Sequence, residues 1–472
     1  DLIEAHTSIH VANYLGHSKA YLIDPRGFGE ASLSNLLVMI DGRRVNQVDL
    51  SGADWMQVDI AAVDRIEIIQ GAESVLYGDN AMAGVINIIT KQGETHRPRV
   101  SLSSAVGSYD LARGAVAVSG MTARADYFLS YAHTDTGNYR DNNDYWDNDW
   151  FSTVNVFPTE EFSIGMSAGH HYDKYGQPGA LNPTDIQTLG RRGTKYPEDN
   201  ARTSDYFFSA EPTYIHDIAS GTMTLSCMNT FRRRNTKALN VFSGFGEYET
   251  VHHTDSYDLS PKIDLEMERG RLSDQLVLGI DTRFVEDNVL SGDRLTARAQ
   301  IEMQKKVLGV YGLNSATIDE RFVFSLGGRA EWAQFDFNQR EQVANFDSTS
   351  LRIGAFESGI GYKFNPQSLV YINFDRAYRA PNTEEFYQNK YIAWWDGSVQ
   401  GGLNPDINEQ TSNEYEAGVK YAFNDRAFFN LSAFLMDVKD EIYYDSTLYQ
   451  NMNYDGDTRH CGIDFGARVH MF

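Results

Sequence analysis

The acidic stretch at residues 135–149 has the residue types that bind hard metal cations. Its carboxylates include Asp141, Asp144, Asp147 and Asp149, and asparagines lie between them. Carboxylate and amide oxygens are the ligands that calcium takes in proteins. The spacing differs from that of an EF-hand loop, so a solvated acidic loop is the alternative. We expect no required cofactor and treat loop-bound calcium at these four aspartates as a hypothesis.

Two other patterns imitate catalytic or metal sites. Residues 165–169 satisfy Gly-x-Ser-x-Gly, but a nucleophile elbow needs a strand-to-helix turn and these residues lie within an alternating run. His170 and His171 are adjacent in sequence, as are His252 and His253. Neighbours on a strand point to opposite faces, so neither pair easily binds one metal ion. We predict that the protein is not an enzyme.

The composition limits the classes of partner. The chain has 472 residues and a formal net charge of −24, whereas nucleic-acid binding needs a basic face. No run of about 18 apolar residues is available for a transmembrane helix. Tyrosine and phenylalanine are abundant, at 27 and 26 residues. This composition is compatible with transmembrane β-strands, because each strand needs only about 9–11 residues with every second one facing lipid.

Strands with one apolar and one polar face are predicted after Pro98. Residues 275–284, 322–332 and 415–423 alternate in polarity with a period of two. The polar faces carry ionic side chains beside small ones, as in a wet lumen. The apolar faces are rich in aromatic residues, as in a lipid-facing band. The pattern predicts a mainly β fold, a large antiparallel transmembrane β-barrel that spans residues 96–472.

Loops of unequal length favour this barrel over a soluble sandwich or propeller. Long polar insertions at 173–203, 233–250 and 379–410 contrast with short turns elsewhere, and barrels have one short rim and one long rim. We count roughly 15 or 16 candidate strands, whereas barrels with a plugged lumen have about 22. Phe472 falls on the polar face of the last strand, so we expect further strands to follow it.

Residues 1–95 predict a small α/β unit in front of the barrel. An apolar run at 36–40 stops at Asp41 and Gly42, which form a strong turn signal. The stretch 63–91 holds two further strand runs joined by a glycine-punctuated turn region. A small globular unit ahead of a barrel predicts a plugged pore.

Several stretches resemble the TonB-dependent outer-membrane receptors of Gram-negative bacteria. In the N-terminal unit the family's plug motifs are matched in order and spacing at residues 26–29, 38–42, 63–71 and 74–91. In the barrel, similar segments lie at residues 378–381, 403–406, 409–416 and 458–465. The matching plug positions are Arg26, Gly27, Asp41, Gly42, Arg65, Glu67, Gly71, Tyr77, Gly78 and Asn87.

The sequence departs from the family pattern at two plug positions. Gln70 stands where the family usually has arginine, and Ala72 where it often has proline. The resemblance therefore implies no particular plug–barrel ion pair at that site. No TonB box is visible before Asp1, and family plugs extend further in that direction, so we expect the plug to be N-terminally incomplete.

The resemblance implies active uptake of a scarce, bulky nutrient across the bacterial outer membrane. The implied partners are the TonB energy-coupling complex in the periplasm, outer-membrane lipid and lipopolysaccharide, and a small-molecule metal chelate or corrinoid. The ligand would bind between the plug and the outer loops, and TonB would pull on the plug. A passive porin or a structural barrel is the alternative class, although a porin lacks a folded N-terminal plug.

Polar and aromatic residues near the expected outer mouth are the candidate ligand contacts. They belong to a plug loop at 47–55, to a stretch at 172–179 that we expect in a long loop, and to the insertion after Arg379. A solvated turn, a loop stem and interfacial anchoring of tryptophans are the respective alternatives. The candidates are Asp49, Ser51, Asp54, Trp55, Tyr172, Tyr175, Gln177, Trp394 and Trp395.

The cargo is left open between two classes. Haem-uptake members of the family typically carry a histidine in the segment that corresponds to residues 382–403, and this chain has none there. Haem therefore ranks below ferric siderophores and corrinoids. The stretch 51–54 looks most like the plug of the vitamin B12 transporter, but one loop does not separate a siderophore from a corrinoid.

Overall fold

A computed structural model describes residues 2–13, 16, 19, 21–242, 246–293, 299–340, 346–388, 402–404, 406–424, 426–448 and 450–469. Two units make up this part of the chain, a small N-terminal α/β unit and a 16-stranded antiparallel sheet. Within the described residues no helix combines the length and the apolar character needed to cross a membrane.

The N-terminal unit, called the plug below, is built from short elements. In chain order these are α1 (Leu2–His6), β1 (His10–Asn13), β2 (Tyr21–Asp24), a 3-10 helix (Gly29–Ala31), α2 (Ser32–Asn35), β3 (Leu36–Ile40), β4 (Arg43–Arg44), a second 3-10 helix (Ile60–Ala62), β5 (Val63–Gln70), α3 (Ser74–Tyr77) and β6 (Gly84–Thr90).

The plug sheet confirms the strands predicted between residues 36 and 91. Its order is β4-β3-β6-β5, and β3 runs parallel to β6. All five residues of β3 are buried, as expected for a central strand covered on both faces. The predicted turn joins β3 to β4, with φ of 49° at Asp41 and 79° at Gly42.

The large sheet supplies the barrel wall. The strands described after the plug are the sixteen strands of this wall and four short strands of a separate sheet. They are β7 (Arg99–Val106), β8 (Ala112–Met121), β9 (Ala125–Thr136), β10 (Tyr145–Val156), β11 (Phe162–Gly176), β12 (Asn200–Ile218), β13 (Gly221–Phe242), β14 (Gly246–Arg269), β15 (Leu272–Asp293), β16 (Ala299–Ile318), β17 (Phe322–Arg340), β18 (Phe346–Asn365), β19 (Ser368–Arg379), β20 (Tyr387–Gln388), β21 (Gly402–Leu403), β22 (Gln410–Asn424), β23 (Ala427–Lys439), β24 (Ile442–Asp445), β25 (Gln450–Asn453) and β26 (Thr458–Val469).

Each strand of the wall pairs with its neighbour in sequence once four short strands are set aside. The short strands β20, β21, β24 and β25 form a separate sheet in two of the loops. Helix α4 (Pro183–Leu189) lies in the loop between β11 and β12. The wall ends at β7 and β26, which are not paired with each other in the described part of the chain.

The wall strands have the two faces that their alternating polarity predicts. In β17, Leu326 is 60% exposed on the outer face, whereas Arg329 and Glu331 are 6% and 2% exposed on the inner face. In β26, Ile463 is 74% exposed. Apolar side chains therefore point outward and ionic side chains face the plug, which confirms the predicted fold class.

The connections also differ in length at the two ends of the wall. At one end the turns are short, as at 219–220 and 270–271. At the other end the connections are longer: residues 137–144 and 177–199 form loops, and residues 380–409 separate β19 from β22. The latter is called the long-loop end below.

One predicted insertion is wrong, because residues 233–250 largely continue β13 and β14, with Asn240 opposite Tyr248. The backbone ladder needs no apolar side chains, so a polar composition concealed these strand ends.

Candidate functional site

Arg26 anchors the plug to the barrel wall through three carboxylates. The residue is 2% exposed. Its Nη2 lies 2.9 Å from Glu414 Oε1 and also contacts Glu416, and its Nη1 donates to Asp464 Oδ2 at 2.9 Å. The guanidinium carbon lies 4.0 Å from the centre of the Phe434 ring. Removal of the plug would leave these acids of β22 and β26 without their buried cation.

The turn that presents Arg26 is organised by Asp24 at the end of β2. The Asp24 carboxylate accepts backbone hydrogen bonds from Gly27, Phe28 and Gly29 at 2.8, 2.9 and 2.7 Å. Gly27 and Gly29 have φ of 80° and 59°, where side chains other than glycine are strained. The local sequence thus fixes the direction in which Arg26 leaves the plug.

Next to Gln70, the plug backbone closely approaches the wall. The Ala72 N–H donates to Glu414 Oε2 at 2.8 Å. Gly71 has φ of 106°, and a Cβ at that position would lie 3.0 Å from Arg26 Nη2. Glycine here lets the plug backbone and Arg26 share the same carboxylate.

Three of the other matched plug positions, Asp41, Gly42 and Asn87, make contacts within the plug sheet. Asp41 accepts hydrogen bonds from the backbone and hydroxyl of Thr90 at 2.9 and 2.7 Å, and the Gly42 N–H donates to Asn87 at 3.2 Å. Burial raises the pKa of Asp41 above its ordinary value despite these hydrogen bonds. These contacts close the plug sheet on itself.

Arg65 and Glu67, by contrast, form an exposed ion pair of 2.8 Å within β5. Tyr77 and Gly78 end α3 beside the barrel wall. The Tyr77 carbonyl accepts a hydrogen bond from Arg44, and Gly78 has φ of 70° with Arg329 Nη2 2.9 Å from the position of a Cβ.

Residues 380–386, called the mouth segment below, leave β19 and lie against the plug. The Ala380 N–H donates to Asp79 Oδ1 at 2.9 Å, and the Thr383 N–H donates to the Val48 carbonyl at 3.0 Å. Phe386 is fully buried, and its ring centre lies 4.9 Å from that of Phe335 in β17. The segment thus joins plug and wall at the long-loop end.

Asp49 lies beside a cation of the wall at the same end. Arg234 Nη1 of β13 is 3.3 Å from Asp49 Oδ2, and the Ser51 N–H donates to Asp49 at 2.9 Å. Burial opposes ionisation of Asp49, but Arg234, the hydrogen bonds from Ser51 and the neighbouring His252 together outweigh it and lower the pKa of this carboxyl. Burial and the neighbouring Asp49 raise the pKa of Glu384 in the mouth segment to about 7.

Asp54 and Tyr175 are brought together through Lys19. Lys19 Nζ lies 2.5 Å from Asp54 Oδ2, contacts Asp173 of β11, and is 5.3 Å from the Tyr175 ring centre. Burial opposes the charge of Lys19, but the two carboxylates outweigh it and raise its pKa above the ordinary value. Trp55 is half-buried and packs against the main apolar core of the plug, so it contributes to that core.

Two further candidates, Tyr172 and Gln177, do not join this group. The stretch expected as a loop is strand β11 up to Gly176. Tyr172 therefore lies on the outer face, where its ring centre is 5.5 Å from that of Trp146. Gln177 follows the strand, and its N–H donates to the Asp199 carbonyl at 2.9 Å. Trp394 and Trp395 lie outside the described residues.

The four aspartates proposed for calcium do not converge. Asp147 and Asp149 are buried on the inner face of β10, whereas Asp141 and Asp144 are exposed in the preceding loop. Asp147 accepts hydrogen bonds from Tyr145 and from the Thr134 backbone. Strand β10 begins inside the acidic stretch, so it directs Asp147 and Asp149 to the lumen and leaves Asp141 and Asp144 in the loop. The structure therefore does not bring the four aspartates together as one calcium site.

The family of the chain follows from sequence comparison. Residues 1–85 match the family described as TonB-dependent Receptor Plug Domain. Residues 99–471 match the family described as TonB dependent receptor-like, beta-barrel. The chain belongs to the TonB-dependent receptor family. This is a family of outer-membrane proteins, and its established role is that of a receptor and transporter.

Solved structures of other receptors share the fold of this TonB-dependent receptor. The ferric citrate transporter FecA in its unliganded form superposes with a TM-score of 0.80 at 15% identity, over 99% of this chain and 71% of FecA. The copper transporter OprC gives 0.78 at 14%, over 99% and 72%. The ferric yersiniabactin uptake receptor FyuA from Yersinia pestis gives 0.75 at 14%, over 98% and 72%.

A polar cavity of about 380 Å³ lies between the plug and the wall of this receptor. Arg43 and Arg44 of β4 line one side, and Asp258, Lys262 and Arg283 of the wall line the other. Burial and the nearby charge of Arg232 lower the pKa of Arg43 to about 9. The cavity is thus lined by charged groups of both signs.

Sequence reasoning missed one plug residue and three wall residues of the site. Lys19, Arg234, His171 and Asp173 were not candidates, although they surround the predicted Asp49 and Asp54. A usable signal existed in β11, where His171, Asp173 and Tyr175 alternate and so share one face. Lys19 carried no such signal, because it stands alone between β1 and β2.

Proposed function

We propose that the receptor takes up a scarce, bulky nutrient across the bacterial outer membrane and draws its energy from TonB in the periplasm. The observation that carries the proposal is a folded plug held inside the wall by buried, non-covalent contacts, above all those of Arg26. Such contacts seal the lumen at rest and can still be broken by an applied force. The plug is accordingly the moving part.

The outward apolar face supports residence in a lipid bilayer. Side chains such as Leu326, Ile360 and Ile372 are 60–67% exposed on the outside of the wall. Contiguous exposed apolar surface of this kind needs a non-aqueous neighbour. Outer-membrane lipid and lipopolysaccharide are the proposed surroundings, and the polar lumen is the proposed path.

A ferric siderophore is the first cargo we propose, and a corrinoid is the alternative. Similar solved receptors carry ferric citrate and ferric yersiniabactin according to their descriptions. The long-loop end of this receptor presents ionic groups of both signs, including Lys19, Asp49 and Arg234. Charged groups in a shielded mouth suit a polar chelate with several anionic oxygens.

A planar-bilayer measurement on the full chain tests the sealed-transporter proposal. We expect almost no steady conductance, because the plug fills the lumen. A large steady conductance would favour the porin alternative. Cells that express the receptor should accumulate radiolabelled iron supplied as a siderophore only when TonB is present. Equal accumulation without TonB would overturn energy coupling.

The cargo is identified by a separate measurement. Ligand extracted from receptor purified from native membranes should contain an iron chelate, detected by mass spectrometry and optical absorbance. Corrinoid absorbance bands without an iron chelate would contradict the siderophore proposal and support a corrinoid as the cargo.

A further inference from the structure

Three potential metal ligands meet where the plug contacts strand β11. Asp54 comes from the plug, and His171 and Asp173 come from one face of the strand. Their ligand atoms all lie within 4.8 Å of one another. His171 Nε2 is 2.8 Å from Asp173 Oδ2 and 3.9 Å from Asp54 Oδ2. All three residues are buried, with exposed fractions of 6%, 3% and 0% in sequence order.

Each of the three side chains is oriented by a second hydrogen bond. His171 Nδ1 lies 2.5 Å from Asp149 Oδ1. The Thr203 N–H donates to Asp173 Oδ1 at 2.9 Å, and the Met56 N–H donates to Asp54 Oδ1 at 3.2 Å. Metal-ligating histidines commonly have their other ring nitrogen on a carboxylate, and ligating carboxylates are hydrogen-bonded in turn. The atoms on the opposite side of each group, His171 Nε2 and the Oδ2 atoms of the two aspartates, converge, and Nε2 is hydrogen-bonded there to Asp173 Oδ2 at 2.8 Å.

A positive group already occupies the point of convergence. Lys19 Nζ contacts Oδ2 of Asp54 and Oδ2 of Asp173, the same oxygens that face His171 Nε2. The chain itself thus demonstrates that this position accepts a cation. An ammonium ion on a flexible stem can leave such a position without rearrangement of the backbone.

We propose that Asp54, His171 and Asp173 form a binding site for a divalent transition-metal ion, which Zn²⁺ represents, and that Lys19 is its built-in competitor. Zinc takes nitrogen and oxygen ligands at about 2.0–2.2 Å in a tetrahedral arrangement. That arrangement separates ligand atoms by roughly 3.3 Å, a value between the 2.8 and 3.9 Å seen here. Three protein ligands leave a fourth position open to water or to a donor atom of the cargo.

The site has a structural consequence because its ligands belong to two units. A metal ion would tie the plug to β11, since it would bind two side chains of the strand, His171 and Asp173, together with Asp54 of the plug. This inference does not depend on the cargo or on TonB, so failure of the uptake proposal leaves it intact.

Zn²⁺ titration of the full chain in detergent, followed by calorimetry, tests the site. We expect one site that His171→Ala abolishes and Asp173→Asn weakens by about a hundredfold, since loss of a ligand costs at least about tenfold in affinity. Lys19→Met should bind Zn²⁺ more tightly by about tenfold. The matched control is His170→Ala, which removes the adjacent imidazole on the outer face, bonded to Ser204 at 3.1 Å.

Co²⁺ absorption provides a second readout that does not depend on folding effects. The wild-type receptor should give the intense visible bands of low-coordinate Co²⁺, and Lys19→Met should retain them. Zn²⁺ binding that persists in both His171→Ala and Asp173→Asn would overturn the proposal. Equal losses in His170→Ala and His171→Ala, or weaker binding in Lys19→Met, would do the same.

Discussion

Arg26 Nη2 in the plug lies 2.9 Å from Glu414 Oε1 in strand β22, and both side chains are 1% exposed. This contact joins residues that are far apart in the sequence and belong to different units. The same carboxylate also accepts the Ala72 N–H at 2.8 Å. Glu414 therefore binds two separate segments of the plug at once.

Replacement of Arg26 by glutamine should loosen the plug strongly. Loss of one partner from a buried ion pair leaves uncompensated charge, at a cost of about 3–5 kcal/mol. We expect a lower urea midpoint for plug unfolding and a measurable bilayer conductance. The control is Arg65→Gln, which breaks an ion pair of residues that are 58% and 48% exposed and should leave the urea midpoint almost unchanged, because solvent screens exposed pairs. Equal effects of the two variants would contradict this role of Arg26.

Gly84 is expected to tolerate no side chain. It has φ of 145°, and a Cβ would lie 2.4 Å from the Ile69 carbonyl oxygen. Gly84→Ala should destabilise the plug by about 3 kcal/mol or more through backbone strain and overlap, measured by denaturant unfolding. Gly114→Ala in β8 is the control, because no atom lies within 4 Å of its added Cβ. A stable Gly84→Ala plug would show that β5 and β6 can separate freely.

Asp24 should matter through the backbone turn that it caps. Asp24→Ala leaves the N–H groups of Gly27, Phe28 and Gly29 without their acceptor, which should cost about 2–3 kcal/mol. Asp24→Asn keeps one acceptor oxygen and should cost roughly half as much. Protease sensitivity near residues 25–30 provides the measurement. Indistinguishable digestion of the wild type and Asp24→Ala would refute the turn's dependence on this carboxylate.

Glu73 should make plug stability depend on pH. Burial and the carboxylates of Glu357, Glu414 and Glu416 raise its pKa from 4.5 to about 8. The folded state holds the proton more tightly than the unfolded state, so its stabilisation is complete below pH 4.5 and is lost as pH rises to about 8. Glu73→Gln should flatten that decline in urea midpoints. Exposed Glu67→Gln should leave the decline unchanged, and an unchanged decline in Glu73→Gln would exclude this group as its source.

The sequence was sufficient where one periodic pattern governs structure. Leu326 and Arg329 were predicted on opposite faces because their strand alternates with a period of two, and wall strands bury only one face against the plug. Residues 36–40 were predicted as a buried strand because an apolar run ends at a turn dipeptide. Both predictions rest on local physics.

The site depended on contacts that no local pattern encodes. Lys19 meets Asp173 across 154 residues of sequence, and a lone lysine carries no indication of its partner. Tyr172 was assigned to a loop because Gly176 and Pro178 signal a turn, yet the β11 ladder continues to Gly176. Long-range pairing decided where that strand ended, and so which tyrosine faces the lumen.

The mouth segment links the plug directly to the wall at the long-loop end of the receptor. Its backbone is bonded to Asp79 and Val48 of the plug, and Phe386 is wedged against the wall. Tension applied to the plug from below would reach the rim of the pore along this tether, with no relay through the barrel wall. A ligand bound at the rim and a force applied to the plug would therefore act on the two ends of the same seven-residue segment, residues 380–386.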